Sequence, residues 1–157
     1  MARVKRLTLK QLIMKAILIT LFTFSLGLFA QNNADDCLGI WLVQEKNAKV
    51  EIFKSGNKYF GKIVWLKEPL DAQGKPKTDT KNPDPKKRST PILNMQFMYN
   101  FVFNADDAKW ENGSIYDANG GKTYSAQYTM SSKDVLDLRG YIGVSWLGRT
   151  STWTRSK

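Results

Sequence analysis

The sequence predicts an all-β protein, an eight-stranded antiparallel up-and-down barrel with one long proline-rich connection between strands three and four. Three observations predict it: apolar and polar residues alternate over short runs, Gly, Asn, Asp or Ser clusters separate those runs, and no segment after residue 30 has convincing helical periodicity. Eight strands joined by hairpins leave two unpaired edges unless the sheet closes. We therefore expect a closed barrel.

The N-terminus has the pattern of a secretory signal peptide. Basic residues precede an apolar run of 14 residues from Ala16 to Phe29, shorter than the roughly 20 that a membrane-spanning helix needs. We expect cleavage near Ala30, which divides the chain into a signal peptide over 1–30 and a single barrel domain over 31–157. The protein would then be periplasmic or secreted, with no transmembrane segment in the mature chain.

Composition limits the chemistry of the predicted mature chain. It carries 19 Lys+Arg against 14 Asp+Glu, a net charge of +5. The single cysteine, Cys37, has no intramolecular disulfide partner. We expect an unmodified cysteine near the new N-terminus, with an exposed reactive thiol as the alternative.

The strands follow from the alternation and from the turns between them. Ser55-Gly56-Asn57 and Asn119-Gly120-Gly121 supply residues that tolerate positive φ, as tight hairpins require. The two-residue period places one apolar face on each strand. The predicted strands are 39–45, 48–54, 58–66, 97–104, 109–117, 122–130, 134–142 and 149–155. The residues expected to share an inner face are Tyr59, Gly61, Ile63 and Trp65, then Phe97, Tyr99, Phe101 and Phe103, then Tyr124, Ala126, Tyr128 and Met130.

The segment from Gly143 to Gly148 is an unusual loop because it carries Val144, Trp146 and Leu147. An apolar loop tip either folds back onto the core or contacts a partner. We expect it to fold back.

The connection from Lys67 to Gln96 holds all five prolines. In Asn82-Pro83-Asp84-Pro85 each proline fixes its own φ and restricts the residue before it, while Asn and Asp side chains accept nearby backbone N–H groups. This chemistry predicts that Asn82 to Arg88 is ordered and packs over a barrel mouth.

Two tryptophan motifs stand at the ends of the domain. Gly39-Ile40-Trp41 opens the first strand and Trp153-Thr154-Arg155 closes the last. This pair resembles the calycin barrels, which include lipocalins, and the resemblance implies that a large ring capped by a cation plugs one barrel end. The predicted plug consists of Trp41, Arg139, Arg149, Trp153 and Arg155.

A more specific resemblance runs from Gly39 to Arg155. The residues that carry it are Gly39, Trp41, Tyr59, Gly61, Ile63, Trp65 and Leu66, Lys81-Asn82-Pro83-Asp84-Pro85, Arg88, Trp110, Gly113, Ile115-Tyr116-Asp117, Gly121-Lys122-Thr123-Tyr124, Leu138-Arg139-Gly140, Gly148-Arg149-Thr150 and Trp153-Thr154-Arg155. Together they resemble the bacterial family called domain of unknown function 2147. Departures occur at Ala118, where the family often has proline, and around Thr90 and Asn94, where it favours arginine and glycine. The resemblance implies a small exported β-barrel and no established activity.

The residue types argue against most catalytic and metal chemistry. The chain has no histidine, and a single cysteine cannot build a structural zinc site. We therefore predict no catalytic residues, no metal ligands and no cofactor, and we favour a protein that is not an enzyme.

Residues 67–88 carry seven basic and four acidic residues, which indicates either a surface for anionic lipid or polysaccharide or a solvated loop. Nucleic acid is excluded by the predicted export and by the lack of stacking aromatics among these basic residues.

Three functions stay open at this point. The favoured one is a carrier or sensor of a small apolar or amphipathic ligand in the cell envelope, since an eight-stranded barrel has room for side chains or one small ligand. The others are a solid barrel that binds an envelope partner through its basic connection, and a hydrolase of unrecognised type. The predicted ligand-binding residues are Trp65, Lys81, Asn82, Asp84, Arg88, Tyr116 and Tyr124. The oligomeric state is not predicted.

Overall fold

The chain folds into a closed barrel of eight antiparallel strands, each hydrogen-bonded to the next and the last to the first, as the sequence predicts. The computed structural model describes residues 33–156, so the predicted signal peptide lies outside the described residues. The strands are β1 Gly39–Leu42, β2 Ala48–Ser55, β3 Lys58–Leu66, β4 Gln96–Asn104, β5 Lys109–Asp117, β6 Lys122–Ser132, β7 Val135–Tyr141 and β8 Arg149–Arg155. Within the described residues, three short 3-10 helices span Ala34–Cys37, Pro85–Lys87 and Ser145–Leu147.

β1 is shorter than predicted, ending at Leu42 instead of residue 45. The chain turns there, with Lys46 in the left-handed region at φ 55°. The Gln44 side chain then accepts the backbone N–H of Thr152 at 2.9 Å. A side chain thus bonds to β8 beyond the end of the β1 ladder.

An up-and-down barrel sends alternate connections to opposite ends. Residues 56–57, 105–108 and 133–134 connect strands at one end, which the N-terminal 3-10 helix also covers. We call it the closed end. Residues 43–47, 67–95, 118–121 and 142–148 connect strands at the other end, which we call the mouth.

Aromatic side chains fill the closed half of the barrel. The rings of Trp110 and Tyr128 stack with centroids 4.9 Å apart, and the rings of Phe101 and Tyr128 lie 5.0 Å apart. Trp110 Nε1 donates to the carbonyl oxygen of Ala34 at 3.0 Å, so the N-terminal 3-10 helix is fastened directly onto this stack. The strong attraction between closely packed rings makes this half a solid core.

Bulges shift the inner face of β4 away from the predicted alternation. Met98 and Phe101 are both fully buried although they are three residues apart, and Asn100 between them has φ 62°. Tyr99, predicted to point inward, instead lines a groove on the outer wall. Phe97 lies between Gln96 and Met98, where the register between β3 and β4 shifts. Its side chain still faces the interior, where its ring is 6.4 Å from that of Trp153.

Within residues 33–156 there is no helix of the length and apolarity that crossing a bilayer would require.

Candidate ligand-binding site

The mouth half of the barrel contains an open cavity of about 670 Å³. Its walls are formed by β2, β3, β4, β5 and β8, by the turns at 43–47 and 118–121, and by residues of the long connection. This volume lies within the range of about 300 to 1,000 Å³ typical of small-molecule sites. The apolar residues that line it are Val43, Val50, Ile63, Leu66, Ile92, Met95, Phe97, Ile115 and Trp153.

A second cavity of about 760 Å³ adjoins the first on the β7 and β8 side. The two cavities share Glu45, Ile115, Asp117 and Ser151 in their walls. Tyr124, predicted to bind ligand, lines this second cavity together with Leu138. Apolar side chains from several strands therefore line the mouth half of the barrel.

Charged side chains surround the opening. Lys77 Nζ lies 3.4 Å from Glu68 Oε2, an ion pair at the rim of the first cavity. Arg149 lines the second cavity, and its side chain makes no hydrogen bond or ion pair with the described residues. The site thus has apolar side chains in its interior and charged side chains at its rim. This arrangement suits a molecule that is itself apolar at one end and polar at the other.

Asn82 to Arg88, predicted to pack over the barrel mouth, pack instead against the outer wall of the barrel. Residues 79–91 do not line the mouth cavity, whereas other parts of the connection do, namely Lys67, Glu68, Lys77, Ile92 and Met95. Asp79, only 1% exposed, accepts the Tyr116 hydroxyl at 2.9 Å, and Tyr116, predicted to bind ligand, also contributes to the wall of the first cavity. Burial, and then this carboxylate, raise the pKa of Tyr116 to about 12.

A close backbone approach also attaches the connection to the wall. Gly121, at φ 64°, lies so near the Lys81 carbonyl that an added Cβ would sit 2.1 Å from its oxygen. Any larger residue at Gly121 would push the connection away from the β5–β6 turn.

The predicted ligand-binding residues of the connection bond to one another. The Asn82 side chain donates to Asp79 at 2.6 Å and accepts the Asp84 N–H at 2.9 Å. Asp84 accepts the Lys86 N–H at 3.0 Å, and Arg88 Nε donates to the Asn82 carbonyl at 2.9 Å. Asn82, Asp84 and Arg88 therefore hold the connection in shape, and together with Lys81 they lie outside the barrel cavity.

Trp65 is a second correction, because it faces the outside of the barrel. The register between β2 and β3 shifts between Lys49 and Val50, so that Lys49 pairs with Trp65 while Val50 pairs with Ile63. This bulge reverses the alternation after Ile63. Trp65 is 41% exposed, with Lys49 Nζ 5.8 Å from its ring centroid.

The closed end carries the tryptophan plug. Trp41 is fully buried, and the guanidinium carbon of Arg155 lies 4.3 Å from its ring centroid. Arg155 also donates to the carbonyls of Leu38 at 2.8 Å and Asp36 at 2.7 Å. Gly39 has φ 124°, and a Cβ there would lie 3.1 Å from the Arg155 guanidinium, which explains glycine two residues before the tryptophan.

The other arginines predicted for the plug lie at the mouth. Arg139 donates to the carbonyls of Ser145 at 2.5 Å and Trp146 at 2.9 Å, so it holds the β7–β8 loop. Arg149 begins β8 at the same end. Trp153 is buried between the two halves of the barrel, where its ring packs against Phe97.

Comparison with known proteins agrees with this geometry. The family model described as an uncharacterized protein conserved in bacteria, domain of unknown function 2147, matches residues 39–155. The chain belongs to this family.

Among solved structures, this family member is similar to protein HP1028 from Helicobacter pylori, described as belonging to the lipocalin family. The two share 26% sequence identity, with a TM-score of 0.65 over 76% of this chain and 82% of that one. The search of curated proteins found no match. A lipocalin-like barrel is thus supported by both topology and comparison.

Cys37 is an inert thiol in this member of the family. It is fully buried, and the Tyr128 hydroxyl donates to its sulfur at 3.4 Å. Burial raises the pKa of Cys37 to about 12, so the nucleophilic thiolate is scarce at neutral pH. The alternative of an exposed reactive thiol does not hold.

Over residues 33–156 there is also no group of three or more Cys, Asp or Glu side chains placed to bind a metal ion.

Sequence reasoning missed several residues that line the two cavities, among them Leu66, Ser151 and Arg149. The signal for two of them was present. Trp153 faces inward, and residues two and four positions before it on the same strand, Ser151 and Arg149, must share that face.

Proposed function

We propose that this protein binds one small amphipathic molecule in the open half of its barrel. The observation that carries the proposal is the contrast within one barrel: aromatic rings fill the closed half, while a cavity of about 670 Å³ occupies the mouth half. A barrel filled along its whole length, the alternative weighed from the sequence, would have no such space. The lipocalin-like fold supports the same conclusion, since lipocalins are eight-stranded barrels that hold one small ligand.

The ligand would enter with its apolar part first. Ile63, Ile115 and Trp153 give the depth of the cavity its apolar surface. The polar part would remain at the rim, near Lys67 and Arg149 or near Glu45. Arg149 supplies a guanidinium able to pair with a carboxylate or phosphate. The predicted signal peptide supports an envelope location, where lipids and their breakdown products are available.

The first test identifies what the protein carries. Protein purified from its own host is measured by native mass spectrometry, and bound molecules are extracted and identified. The proposal predicts a bound small molecule in a one-to-one ratio.

The second test asks whether the cavity is the site. N-phenyl-1-naphthylamine, an uncharged apolar fluorophore, is titrated into wild type and into Ile115→Trp, which fills the wall shared by both cavities. Ser125→Trp is the matched control, because Ser125 is exposed on β6. We expect Ile115→Trp to weaken binding by about tenfold or more, the effect of losing a well-buried apolar contact. Equal binding by both variants, or no binding by wild type, would remove the cavity as a ligand site.

A further inference from the structure

The β7–β8 loop, residues 142–148, presents apolar side chains to solvent beside the mouth. Ile142 is 71% exposed, Trp146 75%, Leu147 65% and Val144 46%. The expectation that this loop folds back onto the core is therefore wrong. Other exposed apolar residues, Ile40, Trp65, Leu70 and Leu93, are scattered singly over β1, β3 and the long connection, whereas these four lie within six consecutive positions.

The loop is held in this exposed conformation. Arg139 donates to two of its carbonyls and, through Nη1, to Thr150 Oγ1 at 2.8 Å. Gly148 lies against the end of β7, where a Cβ would be 2.5 Å from the Gly140 carbonyl oxygen. A loop fixed by a guanidinium in this way loses little further conformational freedom on binding.

Charge is divided between the two barrel ends. The mouth connections, residues 43–47, 67–95, 118–121 and 142–148, carry eight Lys+Arg against five Asp+Glu, a net charge of +3. The segment 79–91, on the outer wall beside the β5–β6 turn, contributes +2 of this charge. The closed-end segments, residues 33–38, 56–57, 105–108 and 133–134, carry one Lys against five Asp, a net charge of −4. An anionic surface would therefore attract the protein with its mouth foremost.

We infer that the β7–β8 loop docks this protein on an anionic lipid bilayer with the barrel mouth facing the membrane. Trp146 would lie at the interface of headgroups and acyl chains, which tryptophan prefers, while Ile142 and Leu147 enter the apolar layer. The positive mouth connections complement the anionic headgroups. Ile142 and Leu147 also line the second cavity, so docking brings the opening of the cavity to the lipid surface.

The shape of the loop favours a bilayer over a protein partner. A stable protein interface uses about 20 to 30 residues a side, whereas the apolar tip here belongs to a seven-residue loop. A bilayer can accept such a small protruding tip because the lipids rearrange around it. The inference does not depend on the cavity being occupied, so it can fail while the proposed function holds, and the reverse.

The test measures vesicle binding by the chain from Gln31 onward, which contains the whole barrel with its core and omits the apolar run of residues 16–29. Vesicles contain either phosphatidylcholine alone or equal parts of phosphatidylcholine and phosphatidylglycerol. We expect wild type to sediment with the anionic vesicles, and Trp146→Ser to weaken that binding by about tenfold, the effect of removing one large apolar side chain. Ile40→Ser is the control, because Ile40 is 42% exposed on β1 and distant in sequence from the mouth connections.

Two further comparisons test the orientation. Quenching by brominated lipids reports which tryptophan is inserted, and Trp146→Phe should keep vesicle binding but lose most of the quenching. The double variant Lys46→Glu/Lys67→Glu at the mouth should lower the preference for anionic vesicles several-fold, while Lys133→Glu at the closed end should not.

Equal vesicle binding by wild type and Trp146→Ser would overturn the inference, as would an absence of binding to anionic vesicles. Light scattering on the same samples tests whether a second copy of the chain binds to the loop instead. A dimer that Trp146→Ser dissociates, without vesicle binding by wild type, would assign the loop to a second copy of the chain.

Discussion

The two halves of this barrel are built from the same eight strands but differ in what their interiors hold. At the closed end Trp41, Trp110 and Tyr128 are buried, and backbone carbonyls accept both tryptophan N–H groups. At the mouth, Ile63 and Ile115 face an open cavity, and the Arg149 side chain makes no hydrogen bond or ion pair with the described residues. The difference teaches that stability and binding are separated along one axis. Substitutions at one end should therefore act on unfolding, and those at the other on ligands.

Thiol labelling gives the largest expected difference between the ends. Cys37 is buried at the closed end, so alkylation should require global unfolding, whose cost for a domain is about 5 to 15 kcal/mol. A thiol placed at the mouth by Val144→Cys should react at the rate of a free thiol. We expect a rate ratio above about a thousandfold at pH 8, measured by mass spectrometry. Similar rates for the two thiols would mean that the closed end opens on its own.

Removing the plug ring should give the next largest effect. Trp41→Ala is expected to lower the free energy of unfolding by about 3 to 5 kcal/mol, since it leaves a large cavity in a packed core. Trp146→Ala at the mouth is the matched control and should change it by less than about 0.5 kcal/mol. Denaturant titration measures both. A loss below about 1 kcal/mol for Trp41→Ala would contradict the assignment of stability to the closed end.

The Arg155 guanidinium should stabilise the folded protein through its planar set of N–H donors as well as through its charge. Arg155→Lys retains the charge but cannot bond Leu38 and Asp36 while stacking on Trp41. We expect a loss of about 2 to 3 kcal/mol in the free energy of unfolding, because buried carbonyls lose charge-assisted donors. Arg149→Lys at the mouth should change it little. If the two substitutions have equal effects on unfolding, the guanidinium does not contribute to the plug in this way.

Weakening the attachment of the long connection to the barrel wall should change the free energy of unfolding least among these substitutions. Tyr116→Phe leaves the buried Asp79 carboxylate without its hydroxyl donor, at an expected cost of about 1 to 2 kcal/mol. Tryptic cleavage after Lys86 and Lys87 should accelerate in this variant. Tyr124→Phe, which changes a tyrosine of the second cavity, is the control. Unchanged cleavage in Tyr116→Phe would show that other contacts hold the segment.

Much of the strand framework could be predicted from sequence, because period-two alternation and turn residues are local signals. The prediction for β3 and β5 matches the observed strands, and β1 alone is three residues too long. What failed was the direction of side chains after bulges. Asn100 and Asn112 have φ of 62° and 59° within strands, and asparagine tolerates that region, so both were available as bulge signals. The bulge that turns Trp65 outward contains no such residue.

The site was harder to predict because it depends on contacts distant in sequence. Lys81, Asn82 and Arg88 looked like ligand residues, since they combine charge with rigid turns. In the structure Arg88 bonds to Asn82 and Asn82 bonds to Asp79, which accepts a hydrogen bond from a tyrosine of the barrel wall 37 positions away. Sequence patterns do not show which face of the barrel a long connection packs against.

The tryptophan side chains allow the most direct test of the claim that ligand binds at the mouth and not at the closed end. Trp153 lines the cavity, Trp41 and Trp110 are buried at the closed end, and Trp65 lies on the outer wall. We propose to record indole N–H signals by nuclear magnetic resonance while N-phenyl-1-naphthylamine is added to the ¹⁵N-labelled protein. The account predicts that the Trp153 signal shifts and saturates while those of Trp41, Trp110 and Trp65 stay in place. Saturable binding that leaves Trp153 unmoved, or that shifts Trp41 and Trp110 equally, would contradict it.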